Sequence, residues 1–409
     1  MIDSTVSAVD ESITEERCAE LLTELIRIRS VNGEKTAAHL WLTDRLEAIG
    51  MTVEHYGVED LPTPLVLASL TQSEERPGVL FDGHHDTVFA VPEDWTYDPW
   101  SAHRDGDVVY GRGAVDSKGC VAAMIAALEA IVDARVDLRG PLYYMSDSDG
   151  ERAFRGPPLL RDLGLPERIG TIVSGEATSN RAIDIAYPGI SAWKVTAIGR
   201  TAHPTEPEHG INAIEKMAKL VQAVEGGRLN LREGTSHWFK PRVTTNAIRT
   251  LPGGGWSIPA RCDAVLSILS PIGVTLSEVG EDVEKFLREL EAEDGEVRFE
   301  HKVLPMGGGR LWLRPGESDP RHPGIEALRT AVREVTGAEP AVRAFNGGWV
   351  DGAELMRANG DGSGFCTPAC LVFGPGDFDL AHRVDECISI REVAQCARIY
   401  ARAALELLA

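Results

Sequence analysis

Residues 143–156 read YYMSDSDGERAFRG: an apolar run stops abruptly in carboxylates, and Ser148 splits Asp147 from Asp149. Other short apolar runs end in the same way. VLF at 79–81 stops at GHHD, TIV at 171–173 at SGEA, and ACLVF at 369–373 at GPGD. In an open α/β sheet the carboxyl ends of the strands face the ligand crevice. His84, Asp149 and Glu176 each follow a different run, and His382 follows the last one through GPGDFDLAH. Asp116 sits in GRGAVDSKG, just before a strongly apolar stretch. Two imidazoles and three carboxylates suit a pair of borderline divalent ions, one carboxylate bridging both. Nitrogen with oxygen ligation favours zinc, with cobalt or manganese as alternatives. Asp86, two residues after His84, is placed to accept the other ring N–H of His84 and fix its tautomer. Singly, each residue has a plainer reading: a histidine after a strand is most often a loop histidine, and Asp116 could be a helix-terminal acid. It is the set of five that points to metal.

The elements that must position these residues alternate. Helical periodicity covers 15–31 and 34–49 with a break at Asn32-Gly33, and 118–134 is apolar nearly all round, a buried helix with Ser117 as its N-cap. Short buried strands between helices imply an α/β sheet flanked by helices. The middle of the chain differs. Strand-like alternation at 191–199, 243–251, 260–269 and 296–304 surrounds helical stretches at 211–224 and 277–293. The order β-α-β-β-α-β is that of a ferredoxin-like unit. The expectation is therefore a catalytic domain, 1–186 with 305–409, with a mixed, mostly parallel sheet, and an inserted α+β domain over 187–304.

Composition excludes several partners. The net charge of −22, from 41 basic and 63 acidic residues, argues against nucleic acid or an anionic membrane as partner. No run approaches the roughly 20 apolar residues that span a bilayer, and MIDSTVSAVDESITEER lacks the apolar stretch of a signal peptide. Seven cysteines do not form a disulfide framework. A cytoplasmic protein acting on a small molecule is expected.

These stretches resemble the dizinc family of acetylornithine deacetylase, succinyl-diaminopimelate desuccinylase, aminoacylase and carboxypeptidase G. The resemblance rests on 81–119 (FDGHHDTVFAVPEDWTYDPWSAHRDGDVVYGRGAVDSKG), SGEATS at 174–179, GRTAHPTEPEHGINAI at 199–214, FNGGWVDGAEL at 345–355 and FGPGDFDLAHRVDECI at 373–388. It implies a zinc-dependent hydrolase of C–N amide bonds, with the inserted domain as lid and dimerisation domain and the protein a homodimer. By position, it makes His84 and Glu176 ligands of one ion, Asp149 and His382 ligands of the other, and Asp116 the bridge. Asp86 would orient His84. His203 would polarise the scissile carbonyl, and His203, Asn246, Gly348 and Trp349 would bind substrate.

Three departures touch substrate-facing groups. The family's Asp-Glu-Glu reads Asp147-Ser148-Asp149, which puts Ser148 in the place of the general base. Leu269 stands where a lid arginine grips a substrate carboxylate, and Trp256 where a small polar residue is usual. Arg249, Arg261 and Arg343 are candidate substitutes for that arginine. Three readings follow: an amidohydrolase acting on an N-acyl amino acid or small peptide; a repurposed enzyme doing amide formation, acyl transfer or cyclisation because the base is missing; and a non-catalytic metal-binding scaffold.

Overall fold

The apolar run at 79–81 is the middle of a seven-residue strand, Gly78–His84, buried along its whole length. It lies parallel to Leu142–Asp147 on one side and to Ile169–Ser174 on the other. Ala369–Val372 is parallel to Ile169–Ser174. Strands covered on both faces read as unbroken apolar runs, which is why these four are legible from sequence. The structure, a computed structural model, describes residues 2–31, 36–57, 65–152, 154–250, 256–306, 309–345, 348–358 and 365–409. Among them the chain divides into two compact units, 1–186 with 317–409, and 187–316. The second unit runs past 304, the end expected for the insertion, because Leu313 pairs with Ile190.

The large sheet has nine strands among the described residues. Its order is Thr52–Tyr56, Leu65–Leu70, Leu142–Asp147, Gly78–His84, Ile169–Ser174, Ala369–Val372, Ala182–Tyr187 and Gly316–Glu317, with Ala341–Ala344 also paired to Ala182–Tyr187. The strands at the Thr52 edge pair antiparallel, so the sheet is mixed with a parallel centre. Helices Glu15–Arg27, Lys118–Asp133 and Ile390–Leu408 pack on one another. The helix Ile2–Ser12 was not visible in the acidic N-terminal composition. No helix among the described residues is long and apolar enough to cross a membrane, and all seven cysteines are free.

Two buried charges tie the Asp116 loop to this frame. Lys118 is fully buried, and its Nζ donates to the carbonyls of Leu25 (2.9 Å) and Ile28 (2.7 Å) at the end of helix Glu15–Arg27. Both carbonyls lie in the last turn or at the C-cap of that helix, where intrahelical donors run out. Burial pushes the lysine's pKa down to about 7. Glu386, also fully buried, accepts from the backbone N–H groups of Gly113 (3.1 Å), Val115 (2.8 Å) and Asp116 (3.1 Å), and from Arg112 Nη1 (2.6 Å). Ser117 does stand at the N-cap of Lys118–Asp133, but makes no side-chain cap bond. Its hydroxyl instead donates to the His84 carbonyl at 2.9 Å, joining the loop to the strand end.

The second unit, taken by itself, is a four-stranded antiparallel sheet in the order Arg242–Thr250, Arg261–Ser270, Gly189–Ile198, Arg298–Leu304. Helices Ala213–Glu225 and Leu276–Asp294 supply its other layer. Alternate residues of the inner strands, Val195, Ala197, Leu266 and Ile268, are buried with Met217, Val283 and Phe286 from the helices. The period-2 burial follows from one covered face, and the connectivity is the ferredoxin-like one. Leu276–Asp294 opens with a full capping box between Thr275 and Glu278.

Removing the Glu386 carboxylate would strand Arg112 and three backbone donors in the interior. Glu386→Ala is expected to lower the unfolding free energy by about 3–5 kcal/mol, to be checked by denaturant titration against the parent chain.

Candidate active site

Three of the expected ligands come together at the carboxyl end of the parallel strands, and a fourth joins them from a loop. His84 is the last residue of its strand and is buried. Its Nε2 lies 3.1 Å from Asp116 Oδ1 and 3.4 Å from Glu176 Oε1. The other oxygen of Asp116, Oδ2, is 3.1 Å from His382 Nε2. Asp116 thus faces one imidazole with each oxygen. Asp86 is fully buried, with Oδ1 3.3 Å from His84 Nδ1. The loop histidine His382 adopts a left-handed backbone (φ 62°), which few residues other than glycine take up.

The remaining place beside His382 is held by Glu151, not by Asp149. Both Glu151 oxygens lie 3.1 Å from His382 Nε2. Among the described residues the groups able to share an ion are His84 with Asp116 and Glu176, and Asp116 with Glu151 and His382. Asp149 is fully buried and clamped by Arg155, whose Nε and Nη2 donate to its two oxygens at 2.8 and 3.0 Å. Its carbonyl accepts from the N–H groups of Arg152 and Phe154, both at 3.1 Å. Asp149 therefore folds the loop. The same Asp86 that faces His84 accepts from Gly150 N (3.1 Å) and Glu151 N (3.3 Å), so one carboxylate sets both the ring and the loop that carries Glu151.

Ser148 is fully buried, and its backbone N–H donates to Asp147 Oδ1 at 2.7 Å. It does not line the cavity. Nor is there room for a side chain at the next place: a Cβ on Gly150 would lie 2.5 Å from His84 Cγ. The cavity, about 330 Å³, is lined by His84, Asp116, Gly150, Glu151, Arg152, Phe154, Glu176, Phe345, Trp349, Val350, Asp351, Phe378, Ala381 and His382. Trp349 lines the cavity, while Gly348 is its neighbour at φ 118° and does not line it. His203 and Asn246 belong to the second unit. The His203 ring meets Thr205 Oγ1 at 2.6 Å, and Asn246 Nδ2 donates to Ser267 Oγ at 2.6 Å on an exposed strand face. Trp256 is 89% exposed.

Sequence reasoning offers Glu151 only as a substitute base, alongside Asp147 and Asp149, and not as a ligand, and it misses Arg152, Phe345, Asp351 and Phe378. A usable signal existed for the first. Asp149-Gly150-Glu151 repeats the Asp-x-acid spacing of Asp147-Ser148-Asp149 two residues on. Counting along the strand chose the earlier copy, but the strand ends at Asp147.

The donor set fits a pair of cations. At about 2.0–2.1 Å from a zinc ion, tetrahedral ligand atoms stand about 3.3 Å apart, and the N···O separations here are 3.1–3.4 Å. With protein charges alone the cluster must hold protons instead. Burial, followed by the charge of Asp116, pushes the Glu176 carboxyl up to about 8. Hydrogen bonds donated to Asp116 and Glu151 raise the His382 imidazole to about 10. Burial would raise Asp116 as well, but its bonds from His382 and His84 outweigh it and hold that carboxyl far below the usual range. Carboxylates packed around two imidazoles out of water are costly unless a positive charge is shared among them.

The chain resembles known proteins along almost its whole length. It is 27% identical over 394 residues to a succinyl-diaminopimelate desuccinylase of Methylobacterium radiotolerans, covering 93% of this chain and 94% of that protein. Human carnosine dipeptidase 1 shares its fold with a TM-score of 0.75 at 19% identity, over 99% of this chain and 98% of that one. A Bacillus subtilis protein described as a dinuclear metal-binding peptidase superposes with a TM-score of 0.68 at 14% identity, over 96% and 98% of the two chains. The sequence profile of peptidase family M20/M25/M40 matches residues 80–406, and the chain belongs to that family.

Proposed function

We propose that this protein is a metal-dependent amidohydrolase that cleaves the amide of an N-acyl amino acid or a small peptide. The observation that carries this reading is the Asp116 carboxylate shared between His84 and His382, with Glu176 and Glu151 completing the two halves. In this reading His84 and Glu176 would hold one divalent ion and His382 and Glu151 the other, with Asp116 shared between them. Zinc is the first choice from the donor set, ahead of cobalt and manganese. Such a pair supplies Lewis acidity toward a carbonyl oxygen and lowers the pKa of water.

The chain's own groups do the rest. Asp86 holds His84 in the tautomer that presents Nε2 to the cage. Glu151, whose two oxygens both lie 3.1 Å from His382 Nε2, is the proton-transfer group of this reading: one oxygen would serve the cage while the other would take a proton from water and return it to the leaving nitrogen. Phe345, Trp349 and Phe378 form an apolar wall that excludes water from that exchange. His203 and Asn246 are the further substrate-binding groups of this reading, and the second unit its dimerisation domain. The non-hydrolytic reading depended on a missing base, whereas Glu151 lines the cavity, and no observation favours that reading or the scaffold one.

Glu151→Gln is expected to cut kcat by about 10²–10⁴ and to lower bound metal from roughly two ions per chain toward one. Turnover on a panel of N-acyl amino acids and dipeptides, with elemental analysis of the same samples, checks both. Retained activity in Glu151→Gln would remove the proposed acid–base group. Asp149→Asn is expected to keep its metal and melt at a lower temperature, because it loosens the loop without touching the cage. Ser148→Glu is expected to destabilise the chain rather than to raise hydrolysis, since it forces a carboxylate into a space without water; a denaturation curve alongside the assay checks this.

A further inference from the structure

The strand Gly78–His84 carries a carboxylate inside the core, two residues before His84. Asp82 is 1% exposed, in a strand buried along its whole length. Aspartate is almost never fully buried unless it is paired, and the partners that hold this one are hydroxyl and backbone donors from two other segments. Its Oδ2 accepts from the Ser174 hydroxyl at 2.5 Å and from Gly352 N at 2.7 Å, and its carbonyl accepts from Gly175 N at 2.7 Å. Each partner leads to the active site. Ser174 ends the strand Ile169–Ser174, and Gly175 follows it, one residue before Glu176. Gly352 follows Trp349, Val350 and Asp351, which line the cavity.

We propose that Asp82 is a positioning residue: it fixes the reach of Glu176 and the place of the Trp349–Asp351 wall against each other, so that the Glu176 half of the cage and that wall form one body. The proposal rests on the metal-site reading above for the part given to Glu176.

The contacts are tight enough for this. Asp82 and Ser174 are register partners on adjacent parallel strands, so the hydroxyl reaches the carboxylate across the sheet. Gly352 belongs to the short 3-10 helix Asp351–Leu355. It comes so close that a Cβ there would lie 2.5 Å from Ser174 Oγ and 2.9 Å from Asp82 Oδ2. One carboxylate oxygen thus joins a strand end to a wall segment, and both bonds are of the strong, charge-assisted kind. Groups that hold a ligand from behind commonly change metal affinity about 10–100-fold when they are removed. Asp86 does this for His84 by direct contact; Asp82 does it for Glu176 through the backbone of 174–176.

The test is zinc binding by the full chain, stripped with a chelator and then titrated by calorimetry. The parent is expected to bind about two ions per chain. In Asp82→Ala and in Ser174→Ala one of the two dissociation constants should rise about 10–100-fold while the other holds. Glu176→Gln identifies which constant belongs to Glu176, and adding Asp82→Ala to it should weaken that ion no further, because groups acting through one another are not additive. Gly352→Ala pushes from the wall side and should weaken the same ion, although residue 352 is not a ligand. Asp82→Asn, whose amide oxygen can accept both bonds, should bind zinc close to the parent. A general loosening of the fold would weaken both ions and escape rescue by asparagine. That result, or constants unchanged in Asp82→Ala and Ser174→Ala, overturns the proposal. Should Asp82→Ala not fold, Ser174→Ala, which removes a single hydroxyl, carries the test, with a thermal melt of each variant alongside. Titration needs no turnover, so the two readings fail separately. Loss confined to one ion, with no cleavage of N-acyl amino acids by the parent, supports the positioning role and counts against the hydrolase. Cleavage with both constants indifferent to Asp82 does the reverse.

Discussion

A single carboxylate, that of Asp116, has to satisfy two imidazoles that come from distant stretches of the sequence. One oxygen meets His84 at the end of a central strand, and the other meets His382 on a loop after residue 373. Two ring nitrogens can converge on one carboxylate only if its backbone is fixed, and Glu386 fixes it by accepting from Asp116 N and its neighbours. The Ser117 hydroxyl then fastens the same loop to the His84 carbonyl. The order of the sheet follows the same demand. His84, Asp147 and Ser174 end on adjacent parallel strands, which brings Glu176 and the 148–155 loop to the same edge.

The second constraint is electrical. The cavity gathers four carboxyls against two imidazoles and a guanidinium, and several of these groups are removed from water. Behind the cavity, burial drives Asp82 up to about 6, and burial together with the charges of Asp86 and Asp149 drives Asp147 up to about 7. A site so loaded with acid is stable in two ways: by keeping protons, or by enclosing cations. Hydrogen bonds that fix the ligand side chains in advance, such as Asp86 to His84, favour the second, because little has to be reorganised when an ion enters.

How much of this is legible in the sequence depends on the kind of order involved. The four central strands, the buried helix at 118 and the β-α-β-β-α-β insertion stand out because their apolar periods are regular. His84, Asp116, Glu176 and His382 stand out because each closes such a run or opens the next. Glu151 does not, because it lies beyond the strand end, where side chains no longer alternate and an Asp149 carbonyl turns the chain back on itself. For the same reason Asp149 reads as a ligand, although its oxygens are taken up by Arg155. Ser117 shows the limit of local rules: its N-cap position is right, yet its hydroxyl answers a long-range carbonyl instead of the helix. Arg152 and the aromatic wall come from segments far apart in sequence, and no spacing links them.

Lys118 carries a consequence for the architecture as a whole. Its ammonium is capped by the carbonyls of Leu25 and Ile28, so the first thirty or so residues are not an appendage placed before the catalytic core. They supply the solvation of a charge two positions from Asp116. Any shortened version of the chain that starts after this helix would leave a bare cation in the interior beside the bridging acid. Rearrangements of the termini, whether by fusion, circular permutation or domain grafting, must keep that helix end where it is.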